Sequence, residues 1–295
     1  MWTKTASGVW GLALGALIGC EDGSPSGEGD LRVQLTGEET ISEGLDPGPD
    51  QENTEDYAVR FDKYLAVVGD VEIARSRSGE RRQLPTSYVV DMIGTGEAGF
   101  ALGEITGLAS GVWDKFSFRT PAADAATERG PRVSQEDYDE MVAGGLTYYI
   151  VGRVLREESA GGEVEFRLKL GVPTQFSECS FEGEGGVSVT ADGTSTATIT
   201  LHGDHLFFNA FPAAAEGTIR RMAAWITECD LDGDGIVDND ELAQMDASDL
   251  FTQAKGYSLS GAPIPVETAL DFARAQLASQ GHFRGEGECV WELEE

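Results

Sequence analysis

Val164-Glu165-Phe166-Arg167-Leu168-Lys169-Leu170 alternates apolar and charged residues without a break. Successive side chains of a strand point to opposite faces, so this run places its apolar groups on one face and its charges on the other, the pattern of a half-buried strand. Upstream lies a second β-prone run, Tyr148-Tyr149-Ile150-Val151-Gly152-Arg153-Val154. Between them Glu158-Ser159-Ala160-Gly161-Gly162 is turn chemistry, which predicts an antiparallel hairpin. Residues 65–73, 88–93 and 113–118 read as further strands, and Asp192-Gly193 reads as the turn of a hairpin joining 187–190 to 197–201. Short strands, Gly-rich turns and few helices predict a mainly β fold, an antiparallel β-sandwich over residues 31–211. One helix is expected within it, capped by Ser134 and carrying Tyr138, Met141 and Val142 at helical spacing.

After Phe211 the period becomes helical. Ile219, Met222, Ala223 and Ile226 form an apolar stripe, Leu242 and Met245 continue one further on, and 266–280 carries Leu270, Ala273 and Leu277 on one face with Gly281 as the residue that ends the helix. Residues 212–281 are therefore expected as a helical segment, and 282–295 as an extended segment returning to the sheet.

Inside that segment Asp230-Leu231-Asp232-Gly233-Asp234-Gly235-Ile236-Val237-Asp238-Asn239-Asp240-Glu241 resembles the EF-hand calcium loop, over about residues 218–247 with its flanks. Ca²⁺ takes six to eight oxygens, and alternate carboxylates on a tightly bent loop supply them. The resemblance implies side-chain ligands from Asp230, Asp232, Asp234 and Asp238, a backbone carbonyl from Ile236, a bend at Gly235, an inward Val237 and a bidentate Glu241. These motifs usually pair, and the sequence holds no second one.

The chain has 295 residues with 21 Lys and Arg against 52 Asp and Glu, a formal net charge of -31. Nucleic acid is excluded as a partner, because its phosphates need basic side chains to neutralise them. Lys4 followed by an apolar run from Val9 to Ile18, too short to span a bilayer, reads as a signal peptide over 1–19. Its end, Leu17-Ile18-Gly19-Cys20, resembles the lipobox of bacterial lipoproteins. That resemblance implies acylation of Cys20, a lipid bilayer as partner, and a cell-envelope location on the periplasmic face or the cell surface. Residues 20–30, rich in Gly, Ser and acid, read as a tether. Export into an oxidising compartment leaves Cys179, Cys229 and Cys289 three possible pairings with one thiol over. Cys179 with Cys289 is favoured, since both lie in Gly/Glu-rich extended segments while Cys229 sits at a helix end.

Of three histidines, two lie in Leu201-His202-Gly203-Asp204-His205 and the third is His282. Imidazoles suit copper or zinc, so His202, Asp204, His205 and His282 are candidate ligands for a transition metal. On a regular strand His202 shares a face with Asp204 and not with His205, so the histidines converge only if Gly203 makes a bulge or turn. On the residues alone the favoured reading is that they bond to backbone or carboxylates where the strand ends, with the metal site as the reading to test. Gly94-Thr95-Gly96-Glu97-Ala98-Gly99 spells a dinucleotide fingerprint, but Gly103, Gly107 and Gly111 interrupt the helix it would need, so a glycine-rich hairpin loop is expected. Neither a Gly-x-Ser-x-Gly elbow nor a nucleophile–base pair stands out, and the chain reads as a binding or structural protein rather than an enzyme.

Residues 60–65 with 69–73, then Tyr88-Val89-Val90-Asp91, then 111–118, and Tyr149-Ile150-Val151-Gly152 followed by Val164-Glu165-Phe166 form an order of strands. Over about half the chain it resembles the β-sandwich of the copper-binding lipoproteins associated with methanobactin uptake. The likeness lies in strand pattern, so it implies a sandwich and transfers no ligands.

Overall fold

The computed structural model describes residues 27–48, 57–96, 98–156, 162–212 and 219–294. The expected signal peptide, the acylated Cys20, Glu97 and residues 158–161 of the expected turn lie outside the described residues. In chain order the strands are β1 (Glu28–Gly37), β2 (Tyr57–Arg75), β3 (Glu80–Leu84), β4 (Tyr88–Asp91), β5 (Phe100–Ala109), β6 (Gly111–Trp113), β7 (Lys115–Thr120), β8 (Glu128–Arg129), β9 (Tyr148–Arg156), β10 (Glu163–Leu170), β11 (Thr174–Phe181), β12 (Glu184–Gly185), β13 (Val187–Val189), β14 (Thr194–Leu201), β15 (Ile236–Asp238), β16 (Gly281–Phe283) and β17 (Glu288–Leu293). The helices are α1 (Glu39–Ser42), α2 (Gln135–Gly144), α3 (Ala224–Glu228), α4 (Asn239–Gln244), α5 (Ala247–Leu250) and α6 (Ala269–Leu277).

The alternating run lies in β10, which pairs antiparallel with β9, Val164 opposite Val154 and Leu170 opposite Tyr148. Phe166, Leu168 and Leu170 are buried on its inner face. β9 continues to β2, whose residues 65–68 are buried on both sides. Tyr64, Ala66 and Val68 face the main core, while Leu65 and Val67 meet Met141 of α2 in a smaller cluster. Ser134 caps α2 as expected, its side chain accepting from the Asp137 N–H.

The molecule is mainly β, in open sheets. One has the order β16-β14-β1-β5; a larger one has the spine β12-β11-β7-β2-β9-β10-β15; β13 and β6 form a separate pair. Both larger sheets feed one apolar core: Leu31, Val33 and Leu35 enter it from β1, and Phe116, Phe118 and Phe166 from the larger sheet. Two sheets closing on a shared core is the layering a sandwich requires.

Several expectations need correction. The sheets are mixed, since β1 runs parallel to β14, β10 to β15 and β4 to β8. β1 begins at Glu28, inside the stretch expected as tether. The hairpin over 187–201 is not formed: β13 pairs with β6, and β14 with β1 and β16. Asp192 does take a positive φ of 55°, but this turn docks on the start of β1, where the Asp192 N–H donates to Glu28 O and Gly193 O accepts from the Asp30 N–H. The glycines at 94–99 lead into β5 and not into a helix, but they close no hairpin: β4 pairs with β2 and β8, and β5 with β1.

The C-terminal helices are shorter than the apolar periodicity suggested. α3 is five residues long, because the backbone before it is already engaged: the Met222 N–H donates to Phe207 O, and Arg220 O accepts from the Asn209 N–H. Gly281 does not end α6. It lies in β16, where a Cβ would approach the Phe176 ring to 2.6 Å, so close packing accounts for the glycine. β17 returns to the sheet beside β11, as expected of the last segment.

Cys179 and Cys289 form a disulfide between β11 and β17, across 110 residues of sequence. In the chain-entropy description such a closure disfavours the unfolded state by about 4.7 kcal/mol. Among the described residues Cys229 is the thiol left over, and burial pushes its pKa up to about 12, with Glu228 and Glu241 adding to the shift. A buried thiol is inert. Alkylation of Cys229 in the native protein is therefore expected to run at least about a hundredfold slower than in denaturant, as peptide mapping would show; equal rates would mean that α3 opens readily.

No helix among the described residues is long and apolar enough to cross a membrane.

Candidate metal centre

Parallel pairing of β1 with β14 sets Gly37 opposite Leu201. Both strands end at that level, so both chains leave the sheet at one edge. The next residues are Glu38 and His202, held level by a hydrogen bond from the Glu38 N–H to Leu201 O at 3.0 Å. β16, antiparallel to β14, places His282 opposite Thr200, and the His202 N–H donates to Gln280 O at 3.0 Å. Beyond His202 the chain bends into a 3-10 turn over Gly203–Phe207. Glycine is required there, because a Cβ on residue 203 would approach Ile41 to 2.6 Å. The turn swings His205 back, so the condition for convergence is met.

The rings of His202 and His282 stack with centroids 4.0 Å apart, and His205 lies edge-on, 5.1 Å from His282 and 5.7 Å from His202. Each residue offers a ring nitrogen within 4.8 Å of the others. All three are buried, with 4 %, 4 % and 7 % of His202, His205 and His282 exposed. Nε2 of His205 and Nε2 of His282 face each other at 3.3 Å.

Hydrogen-bond partners assign the tautomers. Ser279 Oγ donates to Gln276 O at 2.9 Å, so it accepts from His205 Nδ1–H, also at 2.9 Å. His205 therefore turns the lone pair of Nε2 toward the cluster. Second-sphere donation of this kind is what holds a histidine in ligating orientation. Nε2 of His202 faces the Gly285 carbonyl at 3.2 Å and must donate to it, which leaves Nδ1 toward Glu38 Oε2 at 3.3 Å. The role favoured on the residues alone, bonding to backbone and carboxylate at the strand end, is thus met by one face of the site without occupying every lone pair.

Burial holds the His205 pKa far below its ordinary range, and lowers that of His282 to about 2, with the neighbouring rings adding in both cases. Neutral rings keep their lone pairs for a cation. Burial also raises the Glu38 carboxyl, with Asp204 and Glu286 pushing the same way, and raises Glu288. The cluster opens into a cavity of about 610 Å³, whose wall includes Asp204, Arg221, Glu286 and Glu288. Asp204 Oδ2 is paired with Arg221 at 2.6 Å, while its Oδ1 has no hydrogen-bond partner among the described residues. Three neutral imidazoles with carboxylates nearby and a hydroxyl orienting one ring make a donor set that fits zinc or copper. Asp204, expected as a fourth ligand, lines the cavity but is paired with Arg221 and is not among the groups whose ligand atoms gather within 4.8 Å; Glu38, Glu286 and Ser279 are additions that only folding reveals.

The twelve-residue acidic loop lies elsewhere, between α3 and α4. Oxygens of Asp230, Asp232 and Asp234 come within 4.8 Å of one another. Gly235 takes a φ of +82°, giving the sharp bend. Asp230 accepts from the N–H groups of Gly233 and Gly235, at 2.9 and 3.2 Å. Glu241 folds back across the loop, Oε1 accepting from the Leu231 N–H at 2.8 Å and Oε2 from the Asp238 N–H at 3.3 Å. Asp238 caps α4 and forms a reciprocal capping box with Glu241. Val237 is fully buried, as expected. Ile236 lies in β15, which pairs with β10, Ile236 opposite Glu165, so the loop's short strand finds its partner in the main sheet. The flanking helices are α3 with five residues and α4 with six, so the helical segment expected over 212–281 is formed around the loop only as short pieces.

Compared with known protein families, curated proteins and solved structures, the chain finds no match in any of the three.

Proposed function

We propose that this protein binds a transition-metal ion, zinc or copper, at His202, His205 and His282, and acts as a binding protein or carrier rather than as an enzyme. The observation that carries the reading is the convergence of three buried imidazoles within 4.8 Å, one of them oriented by Ser279. Imidazole nitrogens at that spacing suit a single borderline cation. The lipobox at Leu17-Ile18-Gly19-Cys20 supports an exported, lipid-anchored chain in the bacterial envelope, where such a binder meets metal from outside the cell.

A second site belongs to the same reading. Asp230, Asp232, Asp234, Asp238 and Glu241, with the Ile236 carbonyl, hold one Ca²⁺ in a structural role on the edge of a β-sandwich. Its support is the gathering of the first three carboxylates and the fold-back of Glu241.

Elemental analysis after EDTA treatment, reloading with Zn²⁺ or Cu²⁺ and desalting in excess Ca²⁺ tests the proposal. Wild-type protein is expected to retain the transition metal and His202→Ala/His282→Ala to retain less than about a tenth as much. Equal retention by the two would defeat it.

A further inference from the structure

The histidines do not exhaust the cation chemistry of this cavity. Among the described residues its wall carries four carboxylates, Glu38, Asp204, Glu286 and Glu288, against one guanidinium, Arg221, which is paired with Asp204. A divalent ion on the histidines leaves that surface still negative. The buried Asp204, 2 % exposed, lines the same cavity and carries an Oδ1 that has no hydrogen-bond partner among the described residues.

His202 links the two chemistries. Its Nε2–H is committed to Gly285 O, so Nδ1 is the nitrogen left to bind a cation, and it faces Glu38 Oε2 at 3.3 Å. A lone pair and a carboxylate oxygen at that distance repel unless a proton or a metal ion lies between them. Glu286 completes the group, with one ligand atom from each of Glu38, His202 and Glu286 within 4.8 Å of the others. Exposure falls across the cavity: Glu286 is exposed, Glu38 half-buried, and the three histidines buried.

We infer that Glu38, His202 Nδ1 and Glu286 form an entry position for a divalent cation, which then passes to the histidine cluster with His202 as the ligand common to both. This rests on the proposed metal centre. Transfer is ligand exchange: the ion keeps His202, gives up the oxygens of Glu38 and Glu286, and gains nitrogens of His205 and His282. No oxidation is needed: the proton between His202 Nδ1 and Glu38 leaves to solvent as the ion enters, and His282 shifts its proton from Nε2 to Nδ1 as the ion passes on. Carboxylates suit the first position because they attract a hydrated cation and exchange readily, whereas buried imidazoles retain a partly dehydrated one.

Stopped-flow uptake of Zn²⁺ by the full folded chain, in saturating Ca²⁺, tests the inference. Glu38→Gln/Glu286→Gln is expected to load at least about tenfold more slowly, with equilibrium affinity changed less than about threefold. Glu288→Gln removes a charge from the same wall but not from the group, and should load at nearly the wild-type rate. In His205→Ala/His282→Ala, weak Zn²⁺ binding should persist and vanish when Glu286→Gln is added. Wild-type loading by the double glutamine chain, equal slowing by Glu288→Gln, or no residual binding without the two histidines would each overturn the entry position while leaving the histidine centre intact. Failure of the wild-type protein to bind Zn²⁺ at all would instead remove the underlying reading.

Discussion

Zinc affinity is expected to fall by at least about a hundredfold in His205→Ala, and by roughly ten- to a hundredfold in Ser279→Ala, measured by competition with a chromophoric chelator. The two numbers have different causes. His205 supplies a ligand nitrogen, whereas Ser279 never touches the ion. What Ser279 does is accept from His205 Nδ1–H at 2.9 Å while donating to Gln276 O, and that direction of donation forces the Nε2 lone pair toward His282. Without the hydroxyl, the tautomer with Nδ1 bare becomes competitive and the ring loses its stop. Ser279→Thr keeps the hydroxyl and should recover part of the loss. Wild-type affinity in Ser279→Ala would mean that packing alone orients the ring. Wild-type affinity in His205→Ala would mean that this nitrogen is no ligand.

Removing calcium is expected to lower the melting temperature by several degrees, and Glu241→Gln to make the melt indifferent to EDTA. The loop carries six acidic residues and no basic one between 230 and 241. A ligand that binds only the folded state stabilises it by about 2.7 kcal/mol at a hundred times its dissociation constant. Here the consequence reaches beyond the loop, because β15 is hydrogen-bonded to the edge of β10 and Val237 is buried in the main core. Glutamine at 241 can still complete the capping box on α4, so this substitution removes a bidentate carboxylate without removing the helix cap. Calorimetry at millimolar Ca²⁺ is the complementary measurement: heat in the wild type and none in Glu241→Gln. A calcium-independent melt in the wild type would remove the ion from its structural role.

Local features are legible in the residues themselves. Alternation in 164–170 marks β10 and its hairpin with β9 because side-chain direction in a strand follows directly from sequence parity. Ser134 announces α2 because a cap acts within one helical turn. The acidic loop can be read residue by residue because its carboxylates and its bend lie within twelve positions of each other. Of the three cysteine pairings that the residues leave open, the one favoured by extended texture, Cys179 with Cys289, is the one formed.

Partners are not legible in this way, and for one reason. Parity decides which face a strand buries but not which strand lies beside it; that choice is made by long-range packing. So 187–190 and 197–201, a plausible hairpin by their turn, instead join β6 and β1. In the same way Gly281 suits a helix end by composition and is used as space for the Phe176 ring. The candidate metal centre depends on this level entirely. His202 and His205 are neighbours in sequence, yet they meet only because Gly203 turns under Ile41; Glu38 arrives because β1 lies parallel to β14, and His282 because β16 pairs back onto it. Sequence alone determined which side chains able to bind metal the chain possesses and where its clearest strands and caps begin. Tertiary structure decided which of them share one buried cavity, because only the packed sheets bring the ends of distant strands to a single edge.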